Sequence, residues 1–173
     1  RVSAVEFVQY CRCGWSQDLS LPVADRAMLH ADNAYFFETI RIESHRLKTH
    51  TQSNTAFRGF GGPQGMVGVE RKMDHVAHTL RLDPVAVRRA NYYDERAGAA
   101  LTGSRADKTA AAPTKRAGSG QPFGGTFSPK ALGRRETPYG QEVEDFALDA
   151  MTERLLDTSD YFARRDAVAA WNA

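Results

Sequence analysis

Ser53-Asn54-Thr55-Ala56-Phe57-Arg58-Gly59-Phe60-Gly61-Gly62-Pro63-Gln64-Gly65 is the stretch on which the reading of this chain turns. Gly59, Gly61 and Gly62 fall within four positions, and the hydrophobic periodicity breaks there, so the stretch is a loop. Glycine lets backbone N–H groups approach a ligand closely. Pro63 can open a helix, and a helix N-terminus favours anions and polar oxygens. Phe57, Phe60 and Arg58 project from the loop. Together these residues suit a planar, polar or anionic ligand. A tight turn whose phenylalanines plug the core fits the same residues.

Downstream, Met66, Val69, Met73, Val76 and Leu80 step by threes and fours, which predicts one apolar face of a helix. Asp83-Pro84 reads as an N-cap followed by proline at the first helical position, opening a short helix to about Tyr92. Upstream, Val5–Tyr10 alternates and reads as a strand, and Cys11–Asp18 as a turn. Pro22 opens a helix to about Asn33. Thr39–Glu43 and Arg46–His50 read as strands flanking a turn at Ser44-His45. Beyond Thr137-Pro138-Tyr139-Gly140, an amphipathic helix is expected from Val143 to about Leu156, and a last one capped by Ser159 or Asp160. Strands first and helices later predict an α+β fold with short strands and four amphipathic helices.

The stretch from Glu95 to Glu136 differs in composition. Its 42 residues hold seven of the 14 glycines and three of the seven prolines, with Leu101 and Leu132 its only branched aliphatics. Such a segment buries too little apolar surface to offset its ordering entropy, and is expected to be a disordered insertion. The expected domain organisation is therefore 1–94 and 137–173 as two parts of one domain, with 95–136 between them. The insertion has eight Lys/Arg against three Asp/Glu, a net of +5, so the remainder is at −3 and the whole chain at +2. That balance is too small to argue for nucleic acid, and the insertion is expected to be a solvated linker.

The length, 173 residues, fits one domain. No apolar run approaches the roughly 18–20 residues of a membrane span, so no membrane partner is expected. Two cysteines, Cys11 and Cys13, cannot form a disulfide framework, which points to a reducing, cytoplasmic compartment. A zinc site from these cysteines with His75 and His78 is disfavoured, because only Arg12 separates the cysteines and the histidines read as a helix face.

The string Thr55–Gly65, TAFRGFGGPQG, resembles the molybdenum-site loop of the xanthine dehydrogenase/aldehyde oxidase family. The resemblance is collinear. Gly14–Ser20 (GWSQDLS), Asp25–Tyr35 (DRAMLHADNAY), Asp83-Pro84, Arg88–Tyr93 (RRANYY) and Thr137–Gln141 (TPYGQ) follow in the family's order. It covers 5–94 and 137–173, and implies an internal fragment of the molybdenum-binding subunit, with the fold of a partial molybdopterin-binding domain.

The resemblance also implies roles. Arg26 falls where the family places an arginine that faces the purine and stabilises negative charge developing on it, making it both catalytic and substrate-binding. Aldehyde oxidases usually lack an arginine there, so Arg26 tips the reading toward purine oxidation, hypoxanthine and xanthine to urate. Phe60 falls where a phenylalanine stacks on the substrate. Ala56, Phe57 and Arg58 fall where the loop meets the molybdenum-molybdopterin cofactor, with the Arg58 backbone near the metal. Read as residues alone, Arg26 is also compatible with a helix-surface cation and Phe60 with core. The family passes electrons to 2Fe-2S clusters and FAD, here bound outside this chain, and on to NAD. No Glu in this chain matches the family's catalytic glutamate, so no general base is assigned and the chain alone is expected to be inactive. A truncated, non-catalytic remnant or an interaction module using the basic insertion is the alternative reading.

Overall fold

A computed structural model of the chain describes residues 1–93, 124–127 and 135–173. The 95–136 expectation lies outside the described residues except at 124–127, 135 and 136. The chain divides into two units, Arg1–Val143 and Glu144–Ala173.

The first unit opens with β1 (Ala4–Gly14), α1 (Ser20–Leu29) and β2 (Thr39–Lys48). β1 and β2 pair in parallel, with Phe7 opposite Ile42 and Gln9 opposite Ser44. Parallel neighbours need a crossover, and α1 is that crossover. Then come α2 (Gly62–Leu80), α3 (Pro84–Arg89) and β3 (Gly124–Phe127), which pairs antiparallel with β2 at Ile42–His45. The core forms where Phe7, Ile40 and Ile42 of the sheet meet Val69 and Met73 of α2. Alternation along β2 (Ile40, Ile42, Ser44 inward; Thr39, Arg41 outward) is the pattern of a strand with one covered face.

Mixed helix and strand, the α+β reading, is what the chain shows, but several details differ. The strands are long: 11 and 10 residues in β1 and β2. Cys11–Gly14 continue β1 instead of turning, with an irregularity in the pairing between Arg12 and Gly14. No turn interrupts β2 at Ser44-His45. Ser44 is fully buried, with its hydroxyl 3.9 Å from Cys11 Sγ. His45 stacks on Tyr10 on the outer face, ring centroids 4.9 Å apart, and bonds Glu43 at 2.7 Å. Two polar residues mimic a turn in sequence, yet each has a partner on the neighbouring strand. β3 lies within the 95–136 stretch and pairs with β2 at Ile42–His45.

Among the helices, α1 starts at Ser20 rather than Pro22. The buried face of α2 runs Gly65, Val69, Met73, Ala77, whereas Leu80, assigned to the stripe from sequence, is exposed. Gly65 carries the end of that face where α2 packs closely on α1, and Val69 and Met73 fill the core beyond it. Asp83 caps α3 as expected, accepting from Val85 N–H at 2.8 Å and Ala86 N–H at 3.0 Å.

Residues 135–143 form a tight reversal in which Thr137 N–H donates to Gln141 O at 2.8 Å and Val143 N–H to Arg135 O at 2.7 Å. In the second unit, α4 (Leu148–Thr158) starts five residues later than the apolar spacing predicts, and α5 (Tyr161–Trp171) follows. Asp160 stands at the N-cap position of α5, but in the left-handed region at φ +51°, and its side chain makes no capping bond. Neither helix has a buried residue, so Leu148, Met151 and Leu155 of α4 and Phe162 and Trp171 of α5 are exposed.

Candidate functional site

The loop between β2 and α2 is tied at one end to the C-terminal end of β1. Asn54 N–H donates to Cys13 O at 3.0 Å, Trp15 N–H to Thr51 O at 3.0 Å, and the Ser20 hydroxyl to Asn54 O at 3.1 Å. The Asn54 side-chain amide reaches Arg12 O. Gly14, at φ +84°, permits this seat: a Cβ there would lie 2.2 Å from Gln52 O.

The other end is seated on α1. Gly61 has φ +93°, and a Cβ on it would lie 2.0 Å from Val23 O; one on Gly65 would lie 2.1 Å from Ala27 O. These two glycines therefore bring the start of α2 into backbone contact with α1. Sequence reasoning took the loop glycines as openings toward a ligand; at Gly61 the structure shows a helix-packing role instead.

What faces outward is the segment before them. Among the described residues, the backbone N–H groups of Thr55, Ala56, Phe57, Arg58 and Gly59 meet no acceptor in the chain. Phe57 is 82% exposed, and Arg58 is exposed. Phe60 is half-buried with φ +49°, its N–H donating to Phe57 O at 2.9 Å, and it is not part of the hydrophobic core. The phenylalanines therefore do not plug the core.

Arg26 is exposed in the last turn of α1. Its Nε lies 3.7 Å from where a Gly62 Cβ would stand, which puts the guanidinium at the N-terminal end of α2. His30 Cδ2 approaches the same point at 3.7 Å, and His30 Nδ1 is 2.9 Å from Arg26 O. The fold thus brings Arg26 to the helix that the loop enters, while Ala56, Phe57 and Arg58 stand on the loop itself. Free N–H groups, a helix N-terminus and a guanidinium are all donors. Their common preference is a ligand rich in acceptor oxygens or developing negative charge.

Two polar groups, Glu70 half-buried and Asp32 buried, escaped the sequence reading. Glu70 of α2 accepts from Tyr35 Oη at 2.6 Å, Asn33 Nδ2 at 2.9 Å and Arg88 Nε at 2.9 Å, tying the segment after α1 to α2 and α3. Asp32, 2% exposed, accepts from Tyr93 Oη at 2.7 Å. Burial pushes its carboxyl up to about 6, although the Tyr93 hydrogen bond and the nearby His30 pull the other way. Their partners are 18 to 61 positions away in sequence, so no local motif announces them. The cysteines are free, His75 and His78 are exposed on α2, and among the described residues no group of three or more His, Cys, Asp or Glu could hold a metal ion.

Residues 1–92 match the family model described as the molybdopterin cofactor-binding domain. The chain belongs to that family. The donor-rich loop fits a cofactor of this kind, because its N–H groups are already free of internal acceptors. Xanthine dehydrogenase/oxidase of Gallus gallus is 45% identical over 172 residues, covering 99% of this chain and 10% of the relative. Xanthine dehydrogenase/oxidase of Mus musculus is 47% identical over 94 residues, 54% of this chain and 7% of that protein. Xanthine dehydrogenase of Blastobotrys adeninivorans is 45% identical over 92 residues, 53% of this chain and 6% of that protein. Relatives of this family are thus oxidoreductases by name, and the chain spans a tenth or less of the length of these three. The aldehyde oxidoreductase of Desulfovibrio gigas shares the fold, with a TM-score of 0.59 at 22% identity over 90% of this chain and 13% of that one. Among the described residues, no helix is long and apolar enough to cross a membrane.

Proposed function

We propose that this chain supplies part of the cofactor-binding and substrate-facing wall of a molybdenum hydroxylase that oxidises purines. The observation that carries the reading is the run of backbone N–H groups from Thr55 to Gly59 without internal acceptors, beside Arg26, in a chain of the molybdopterin-binding family. When bound, the cofactor supplies the redox chemistry of hydroxylation. The chain's own contribution is binding and electrostatics. The N–H groups of Ala56, Phe57 and Arg58 donate to the cofactor's oxygens. Phe60 stacks on the planar substrate. Arg26 holds the negative charge that builds on the purine as it is attacked, a gain confined to the transition state.

In this reading residues 1–94 and 137–173 belong to one cofactor-binding domain interrupted at 95–136, the compartment is the cytoplasm, and electrons leave to iron–sulfur and flavin groups held elsewhere. No general base is assigned to this chain, so the proton is taken by a residue outside it, and the chain alone is inactive.

The test replaces the homologous 172 residues of the Gallus gallus relative with this chain and measures molybdenum and pterin content. A loaded chimera whose content falls on Ala56→Pro, which removes one N–H donor, supports the reading. Full content in the Ala56→Pro chimera contradicts it.

A further inference from the structure

Arg46 of β2 is a buried cation whose counter-charge stands next to Arg26 in sequence. Its side chain is 6% exposed. Nη1 donates to Ser44 O at 3.1 Å, Nη2 reaches the Asp25 carboxylate on α1, and Nε is buried without an acceptor among the described residues. A guanidinium in such a place is costly unless a carboxylate is brought to it. Asp25, by contrast, is 56% exposed and gains little from burial of its own. The pair is thus set by the needs of Arg46, and it is met only when α1 presents Asp25 toward the sheet.

On its other side, α1 rests on Gly61 and Gly65, beneath Val23 and Ala27. Backbone contact of this kind fixes how near the two helices come. Burial of Ala24, Ala27 and Met28 sets which face of α1 turns inward, but Ala24 and Ala27 are small and leave room for a few degrees of roll. The Asp25–Arg46 pair adds a directional tie to that packing and narrows the roll. Rolling α1 would swing Arg26, one residue on, away from its place beside Gly62.

We propose that Asp25 and Arg46 are positioning residues for Arg26: on top of the buried face of α1, the ion pair fixes its final rotation, and so the place of the Arg26 guanidinium at the start of α2. This rests on the role proposed for Arg26 in purine oxidation. It differs from a plain surface ion pair, which contributes little and whose loss would move nothing.

The test uses the chimeric holoenzyme described above, with Asp25→Asn, Asp25→Glu and Arg26→Met, and three readouts: molybdenum content, turnover of a purine and of an aromatic aldehyde, and the crystal structure of the Asp25→Asn form. We expect Asp25→Asn to keep its molybdenum, to lose about tenfold more kcat on the purine than on the aldehyde, and to show Arg26 displaced from Gly62 with α2 in place. Asp25→Glu, which keeps the charge, should recover most of the purine turnover. Arg26 unmoved in the Asp25→Asn crystal, or equal losses on both substrates with Arg26→Met selective for purine, would overturn the positioning role. Equal losses on both substrates with Arg26→Met would instead overturn the purine-facing reading, and a displaced Arg26 in the Asp25→Asn crystal would then still uphold the positioning role.

Discussion

Tyr93 donates its phenolic hydrogen to the buried carboxylate of Asp32 at 2.7 Å, joining the end of the segment after α3 to the segment after α1. Burial raises the Asp32 carboxyl from 3.8 to about 6. The folded chain therefore holds this proton more tightly than the unfolded chain. Its contribution is fully present below pH 4 and is lost as pH rises through about 6, which amounts to about 3 kcal/mol. Denaturant melts of the 173-residue chain between pH 4 and 7 should show that loss, and Asp32→Asn should flatten it. An unchanged slope in Asp32→Asn would assign the pH dependence elsewhere.

Gly65 and Gly68 are three residues apart on α2 and should respond oppositely to alanine. A Cβ at Gly65 would stand 2.1 Å from Ala27 O, against backbone that cannot swing aside, whereas at Gly68 nothing lies within 4 Å. Gly65→Ala is expected to cost about 1–3 kcal/mol by forcing α1 and α2 apart. Gly68→Ala should gain roughly 0.5–1 kcal/mol by restricting the unfolded chain. Urea midpoints of both variants check the pair of signs.

Tyr35→Phe removes the shortest of the hydrogen bonds to Glu70 while keeping the ring that stacks on Tyr92, centroids 6.0 Å apart. The loss should be about 1–2 kcal/mol, because the bond is to a charged acceptor. Thermal unfolding should report it, with the near-UV signal of the remaining aromatics preserved.

Asp83→Ala deletes the carboxylate that accepts from Val85 and Ala86 N–H groups. A cost of about 1 kcal/mol is expected, and Asp83→Ser should recover most of it. The same urea series measures both.

Much of this was legible in the sequence, and the exceptions have physical reasons. The cap at Asp83-Pro84 is local chemistry, and it read correctly. The loop Thr55–Gly61 was visible because glycine breaks periodicity. The purpose of Gly61 was not, since a clash with Val23 O exists only once α1 is folded against it. Ser44-His45 read as a turn because their polarity says nothing of a parallel neighbour that pairs with them through Gln9 and Tyr10. Asp32 and Glu70 gave no signal, as their meaning depends on Tyr93 and Arg88, far along the chain. Arg26 was singled out by resemblance alone, and what the fold adds is its place beside Gly62.

The most direct measurement of the central claim is the turnover of Arg26→Met in the chimeric enzyme on two substrates, a purine and an aromatic aldehyde. The purine rate should fall by about 100-fold or more, the scale of a lost transition-state donor, while the aldehyde rate changes little. Equal losses on both substrates would contradict the placement of Arg26 against a purine.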